Sequence, residues 1–441
     1  MNPISKPLPR WVFILAAVLW VATNLRAVST MCFDWDAAQL SLATIEYNLA
    51  DHQPHPPGYP LWVVSLKPLV PITGGAPLAQ TVLDILFTLA ALYFFHRLAR
   101  ECCGEQTAGT LVILLAFSPV VQLYAFAQST YPVDLLASSL LGWLAYRMWR
   151  GEKWALWAAF PTAAVLMGFR PCGMILLWPL LAGATVRGFG RRPLVLVPPL
   201  AVAVVLGLAW FWPLINSTGG YSSWFQMSSD LFRATSGATS VFFAPAEVGP
   251  PIVGRLTVIL VVALLPLAGL VLRWRGKMPL PWRFLVLWTL PGLLFVYLIH
   301  FAKPGYLLLV LPPLFLIMGA ARPSRRTLLI GFLAAELVVL LPYDRLPSNR
   351  LTRALEVATP HAAVSAARAN RALRKQVKLL QPSRIICTAP FQNAPPNRRS
   401  VEYDFRELAG AGAPAHLTAA GSRGPEGTQL VFEGEDYALW R

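Results

Sequence analysis

The sequence predicts an all-α polytopic membrane protein with about eleven transmembrane helices, followed by a small α/β region outside the cytoplasm. Apolar residues make up 56% of the 441, and charged residues only 13%, against about 25% in ordinary soluble domains. Long uncharged apolar runs recur from residue 11 to residue 342. The runs lack the period-two alternation of barrel strands. Because lipid cannot hydrogen-bond the backbone, these runs are predicted to be helices.

The crossings are separated by charged or proline-rich segments. We expect them at approximately 11–28, 77–99, 106–123, 133–149, 154–169, 171–186, 193–213, 253–272, 283–301, 306–320 and 327–342. Residues 1–342 are therefore predicted to form the membrane domain. Residues 29–76 form its first outer loop, and residues 343–441 form a C-terminal extracytoplasmic domain.

The distribution of basic residues predicts the orientation. If the N-terminus is cytoplasmic, the inner segments carry about 17 Lys and Arg and the outer segments before residue 343 about 6, as the positive-inside rule requires. This rule also explains the net charge of +16 without a nucleic-acid partner. An odd number of crossings then places the C-terminus outside. A cleaved signal peptide at the first apolar run is the alternative, and it too leaves 29–76 outside.

Polar residues are concentrated in the first outer loop. Residues 33–62 read FDWDAAQLSLATIEYNLADHQPHPPGYPLW. Asp34 and Asp36 are two residues apart, directly after a predicted crossing, and can ligate a cation or divide into a base and a helper. The alternative is that they merely cap a helix over 37–50, with Asp36 as the N-cap. HPPGYP cannot be helical because its prolines fix φ and lack donors. It predicts a rigid turn, followed by an interfacial helix over 61–73.

Three later segments also fall on the predicted outer side. They contribute Gln128, Tyr131 and Asp134 from AQSTYPVD, Arg170 from GFRPCG, and His300, Lys303 and Tyr306 from HFAKPGY. Each has a structural alternative: a polar helix connector, a snorkelling arginine, or interfacial anchoring by Lys and Tyr. The topology nevertheless predicts one site, with the cations Arg170 and Lys303 beside the two acids of the first outer loop.

Two acids lie inside apolar runs, where a charge is expensive and usually paired or functional. Asp84 is expected near the outer third of its helix, where it could join the predicted site. Glu336 is in the middle of its run, and the sequence leaves open whether it has an internal partner or a functional role.

The C-terminal region is polar and has no spanning run. Residues 361–380 predict an amphipathic helix, and RIICTA and TQLVFEG predict short strands between Pro and Gly turns. The basic helix could instead lie on anionic lipid headgroups. No catalytic constellation is visible here.

The motif FDWDAAQLSLA followed by HQPHPPGYPLW resembles the first outer loop of GT-C superfamily glycosyltransferases. The resemblance is to bacterial relatives of the protein O-mannosyltransferases of glycosyltransferase family 39 and of the aminoarabinose transferase of lipid A. It implies a plasma-membrane (bacterial inner membrane) enzyme that takes sugar from a polyprenyl-phosphate carrier. Asp34 would be the catalytic base. His55 and Tyr59 would shape the pocket floor, and Asp36 would hold a cation or the acceptor.

The resemblance therefore implies an inverting transfer from a polyprenyl-phosphate-linked sugar to a hydroxyl of a glycan, lipid or protein. Arg170 and Lys303 would stabilise the departing phosphate. Tyr131, Asp134 and Tyr306 would complete the substrate site. No nucleotide-binding glycine motif is present, and a divalent cation is the one cofactor considered. A transporter or flippase of a lipid-linked or anionic solute is the alternative, and a non-catalytic scaffold is a third class.

Overall fold

A computed structural model describes residues 8–242, 249–271, 278–300, 303–320, 324–382, 385–387, 403–405, 415–419, 427–433 and 437–440. Helices make up most of this part of the chain, and a small sheet is formed by residues near the C-terminus.

The helices are, in chain order, α1 (Arg10–Asn24), α2 (Trp35–Ile45), α3 (Pro60–Leu66), α4 (Val70–Thr73), α5 (Ala76–Cys103), α6 (Glu105–Ala116), α7 (Pro119–Tyr124), α8 (Tyr131–Trp149), α9 (Lys153–Phe169), α10 (Pro171–Phe189), α11 (Val197–Ser217), α12 (Tyr221–Thr239), α13 (Gly249–Leu264), α14 (Ala268–Val271), α15 (Trp282–Leu294), α16 (Leu311–Ile317), α17 (Arg325–Val339), α18 (Arg350–Glu356) and α19 (His361–Leu380). Short 3-10 turns include Leu25–Ala27 and Pro304–Leu309, and a π-helical turn, Phe295–Ile299, extends α15.

Six helical segments within the described ranges are long and apolar enough to cross a membrane. They are Arg10–Ala27, Ala76–Cys103, Pro171–Phe189, Pro193–Ser217, Pro251–Leu270 and Trp282–Ile299. Other predicted crossings correspond to shorter or interrupted helices. The run at 106–123 is divided between α6 and α7, where Pro119 begins a new helix. The run at 306–320 is divided between a 3-10 turn and α16. The number of about eleven crossings therefore remains a prediction.

Helix α8 forms the centre of the bundle, and most of its residues are buried. It packs against α5, α9 and α10. Gly142 gives the Trp288 ring of α15 room that a Cβ would occupy. The Trp288 indole N–H donates to Ser138 Oγ at 2.9 Å, and Ser138 donates to the carbonyl of Leu309 at 2.6 Å. These buried polar groups are thus satisfied inside the bundle.

The first outer loop differs from its prediction at three points. The helix predicted over 37–50 is α2, which begins at Trp35 and ends at Ile45. Asp34, not Asp36, is the N-cap of α2, and its Oδ1 accepts from the amide of Ala37 at 2.9 Å. Asp34 has the extended backbone that an N-cap requires, whereas Asp36 already lies in the first helical turn. The helix predicted over 61–73 is two helices, α3 and α4, which are separated by residues 67–69.

The helix predicted over 361–380 is α19, and the segments RIICTA and TQLVFEG contain strands. The strands are β1 (Ile385–Cys387), β2 (Ala415–Ala419), β3 (Leu430–Glu433) and β4 (Tyr437–Trp440), in the order β1-β2-β4-β3. The pair β1–β2 is parallel and the other pairs are antiparallel. One apolar cluster joins this region to the first outer loop, and its buried members are Met31, Leu373, Val377, Phe405, Ala415, Leu417 and Leu439.

Candidate functional site

Lys303 joins the two acids of the first outer loop. Its Nζ donates to Asp34 Oδ2 at 3.0 Å and to Asp36 Oδ2 at 2.5 Å. The three side chains are 18–26% exposed. The structure therefore brings together, around a single ammonium, two acids and a lysine that are separated by more than 260 residues.

Electrostatics distinguish the two acids. Burial raises the pKa of Asp34, Lys303 opposes this effect, and the neighbouring Asp36 adds to it. Burial also disfavours the charged form of Asp36, but Lys303 and then His55 outweigh it and lower the Asp36 pKa to about 2. The two carboxylates overcome the burial of Lys303 and raise its pKa. Asp34 is consequently the more basic carboxylate, beside an ionised Asp36 and a charged Lys303.

His55 and Tyr59 form a second hydrogen-bonded group beside these acids. His55 Nδ1 lies 2.7 Å from Gln39 Oε1 and 4.0 Å from Asp36 Oδ1, and its Nε2 lies 3.0 Å from the Tyr59 hydroxyl. An amide oxygen only accepts, so Nδ1 carries the proton and Nε2 accepts from Tyr59. Burial lowers the pKa of His55 to about 4, which agrees with this neutral form.

The HPPGYP turn is fixed by hydrogen bonds to its carbonyls. The Tyr47 hydroxyl donates to Gly58 O at 2.7 Å, and the Trp224 indole N–H of α12 donates to Pro57 O at 3.1 Å. Tyr59 ends the turn with φ of +48°, in the left-handed region, and Pro60 begins α3. The turn thus holds His55 and Tyr59 against α2.

Arg170 has a different environment from the one predicted. Its Nε donates to Asp134 Oδ2 at 2.6 Å, and its Nη1 donates to Thr130 Oγ1 at 2.5 Å. Its guanidinium carbon is 3.9 Å from the ring centre of Tyr131 and 5.1 Å from that of Tyr306. Arg170 is predicted beside Asp34 and Asp36, and the ion pair that the structure gives it is with Asp134.

This buried pair depends on the end of α9 facing the first turn of α8. The side chains of Arg170 and Asp134 are 4% and 0% exposed. Gly173 makes the approach possible, since a Cβ there would strike the Asp134 carboxylate. The Arg170 charge nevertheless acts on the acid cluster, because it helps to lower the pKa of Asp36. Asp134 accordingly holds Arg170 and is closed to solvent.

The two intramembrane acids have internal partners. Asp84 Oδ2 accepts from the amide of Ser129 at 3.1 Å, so it supports the turn behind the site. Glu336 lies in the last turn of α17, not in the middle of a helix. Its Oε1 accepts from Gln122 Nε2 at 2.8 Å.

The sequence places Gln128 on the outer side without indicating its partners, and it gives no sign of a role for Gln39. Gln128 Nε2 donates to the carbonyls of Ser29 at 3.0 Å and Met31 at 3.1 Å, and its Oε1 accepts from the amide of Phe33 at 2.7 Å. Single glutamines carry no spacing signal, and their partners here are distant backbone or ring atoms. Only the fold reveals them.

The acid pair offers a divalent cation only the carboxylates of Asp34 and Asp36. Among the residues that the structure describes, no three His, Cys, Asp or Glu side chains are grouped to hold a metal ion. The space between Asp34 and Asp36 is taken by the Lys303 ammonium. The two carboxylates therefore suit the lysine ammonium between them better than a divalent metal ion.

Two crystal structures of ArnT from Cupriavidus metallidurans are similar to this chain. The structure bound to undecaprenyl phosphate has a TM-score of 0.65 at 12% sequence identity, and the apo structure has 0.59 at 13%. Each comparison covers 98% of this chain and 97% of the ArnT chain. No protein-family model and no curated protein sequence matches. The chain therefore has the fold of these ArnT structures, as the resemblance of residues 33–62 to the GT-C glycosyltransferases predicts, and its described residues include helices long and apolar enough to cross a membrane.

Proposed function

We propose that this protein is an inverting glycosyltransferase that moves a sugar from a polyprenyl-phosphate donor to an acceptor hydroxyl at the outer membrane face. The observation that carries the proposal is the Lys303 ammonium between Asp34 and Asp36. The fold supports it, because one of the similar ArnT structures is bound to undecaprenyl phosphate. The count of basic residues in the sequence supports the orientation.

Asp34 is the proposed base. In a single displacement, the acceptor oxygen attacks the anomeric carbon, and the bond from that carbon to the phosphate oxygen breaks. The acceptor proton passes to Asp34, and the bonding electrons leave with the phosphate. The raised pKa of Asp34 suits this role, because a more basic carboxylate takes a proton more readily. Asp36 stays ionised and keeps Lys303 in place.

Lys303 is the proposed counter-ion of the departing phosphate. A cation already fixed near the point where negative charge develops stabilises the transition state without having to reorganise. Its ammonium hydrogen-bonds to both acids in the resting site, so a phosphate beside Asp34 would also lie beside Lys303. Arg170 adds positive potential from its pair with Asp134, where its guanidinium lies over the rings of Tyr131 and Tyr306.

The remaining predicted substrate-binding residues divide into two groups. His55 and Tyr59 are proposed to line the pocket beside Asp36, with Tyr306 and Tyr131 on the Arg170 side. Asp134 is proposed to act indirectly, since its side chain is fully buried and paired with Arg170. The acceptor would be a glycan, a lipid or a protein hydroxyl.

The test is transfer by the purified protein in proteoliposomes. Radiolabelled hexose and pentose esters of undecaprenyl phosphate serve as donors, and the release of undecaprenyl phosphate is measured. Asp34→Asn is expected to lower turnover by roughly 100- to 10,000-fold. Asn is as good an N-cap as Asp, so α2 should stay intact. Asp230→Asn, at an exposed acid of α12, is the matched control.

The flippase alternative predicts a different result in the same vesicles. The labelled lipid would change leaflet while its sugar–phosphate bond stays intact. Leaflet exchange without bond cleavage, or unchanged turnover in Asp34→Asn, would refute the transferase proposal.

A further inference from the structure

Residues 29–33 lead from the 3-10 turn Leu25–Ala27 to Asp34 and form neither helix nor strand. Their backbone is held by side chains instead. On one side is Gln128, whose amide bonds to the carbonyls of Ser29 and Met31 and to the amide of Phe33. Gln128 itself has φ of +54°, and Asp84 fixes the next peptide through Ser129.

The C-terminal region holds the same segment from another direction. Asn370 of α19 donates to the carbonyl of Cys32 at 3.0 Å. The Cys32 amide donates to the Asp404 carboxylate, at 3.2 Å to Oδ1 and 3.1 Å to Oδ2. Both side chains are buried, with Asn370 at 0% and Asp404 at 9% exposure. The Met31 side chain, 1% exposed, inserts into the apolar cluster between α19 and the sheet.

The two sets of contacts hold different backbone groups of the segment. The carbonyls of residues 29 and 31 and the amide of residue 33 bond to Gln128, whereas the amide and the carbonyl of residue 32 bond to the C-terminal region. The C-terminal region also reaches the other flank of Asp34, because Tyr403 belongs to one buried apolar cluster with Ala37 and Ala38 of α2 and accepts a hydrogen bond from the Ala76 amide at 3.0 Å.

We infer that the C-terminal region positions Asp34, and that Asn370 and Asp404 do this through their hydrogen bonds to the backbone of Cys32. We call this arrangement the clamp. The inference rests on the proposed function for the chemical role of Asp34. Catalysis requires its groups to be held within about 0.5 Å of the productive geometry. Only Phe33 lies between Cys32 and Asp34, whose carboxylate contacts Lys303, so release of Cys32 displaces the base.

The test uses Asn370→Asp in the full-length protein. The substitution keeps the size of the side chain but replaces the N–H donor by an oxygen that repels the Cys32 carbonyl. Cys32 is itself the reporter, because its side chain is fully buried. N-ethylmaleimide labelling, with the modified peptide identified by mass spectrometry, is expected to be roughly tenfold faster at Cys32 than in wild type, as for the loss of one hydrogen bond. Lys375→Ala, at an exposed position of the same helix, is the control.

The second readout is transfer from the undecaprenyl-phosphate sugar donor. Asn370→Asp is expected to lower kcat roughly tenfold and to leave KM for the lipid donor unchanged, because the base moves while Asp36 still holds Lys303, the proposed contact of the donor phosphate. Asp404→Asn retains one acceptor oxygen for the Cys32 amide and is expected to fall between wild type and Asn370→Asp. If Asn370→Asp does not fold, Asp404→Asn decides by both readouts.

The results separate this inference from the proposed function. Protection of Cys32 at the wild-type rate in both variants would overturn the clamp, whether or not the wild type transfers sugar. Rapid labelling of Cys32 in a variant that keeps the wild-type kcat would show that the clamp does not position Asp34 for catalysis. A wild type that transfers no sugar would refute the proposed function alone, and the labelling arm would still decide whether the clamp exists.

Discussion

Replacing Lys303 by Met is expected to move the acid limb of the transfer profile to higher pH. The Lys303 ammonium lies 3.0 Å from Asp34 Oδ2 and 2.5 Å from Asp36 Oδ2. Met has a similar length but no charge, so the variant leaves two carboxylates side by side without their shared cation. Two acids that share one site do not readily ionise together.

The size of the shift follows from the charges around Asp34. A cation within about 4–6 Å typically lowers a carboxyl pKa by 1–3 units. Burial and Asp36 already raise the pKa of Asp34, and Lys303 is the main opposing influence. Its removal should therefore raise the Asp34 pKa by roughly 1–3 units. The base works when ionised, so activity is present above this pKa and is lost as the pH falls through it.

The assay is the release of undecaprenyl phosphate in proteoliposomes, measured from acid to alkaline pH. Lys67→Met, at an exposed lysine after α3, is the matched control and should keep the wild-type profile. The loss of the phosphate counter-ion would lower the plateau as well. An acid limb that stays at the wild-type pH while the plateau falls would show that Lys303 does not set the Asp34 pKa.

Three further predictions concern stability. Arg170→Met should lower the free energy of unfolding by roughly 3–5 kcal/mol, because Asp134 is left buried and unpaired. Adding Asp134→Leu should restore much of the lost stability, as measured by thermal unfolding. A double variant as unstable as Arg170→Met would contradict the ion-pair explanation. Gly173→Ala should destabilise the protein by the same route, since its methyl group strikes Asp134, and a wild-type melting temperature would argue against this contact. Burial lowers the pKa of His55 to about 4, so stability should fall by about 3 kcal/mol as the pH drops from 6.5 towards 4. His55→Asn should flatten that pH dependence, and a slope as steep as in wild type would assign the effect to another group.

The charged part of the site was predictable because charges are scarce in this sequence. Asp34, Asp36 and Lys303 stand at the ends of apolar runs, and the positive-inside rule places these ends on one side. The partner of Arg170 was not predictable in the same way. The predicted site contains three acids, Asp34, Asp36 and Asp134. The pairing of Arg170 with Asp134 depends on the close packing of α8 and α10 at Gly173.

The uncharged part of the site was hidden for a physical reason. Gln39, Gln128 and Asn370 bond to a ring nitrogen or to backbone atoms, and these partners leave no pattern in a sequence. The N-cap was missed because Asp34 and Asp36 are equally good cap residues by type. The extended backbone of Asp34 decides between them, and it results from the anchoring of residues 29–33.

The hydrogen bonds at Cys32 join parts of the chain that are 338 and 372 positions apart. On the ribosome, Cys32 is made more than 300 residues before Asn370 and Asp404, whereas most domains fold as units in the order of synthesis. We therefore expect Cys32 and Asp34 to reach their final positions only after residue 404 has been translated. A chain truncated before residue 404 would have an assembled helical bundle in which Asp34 is not held in position.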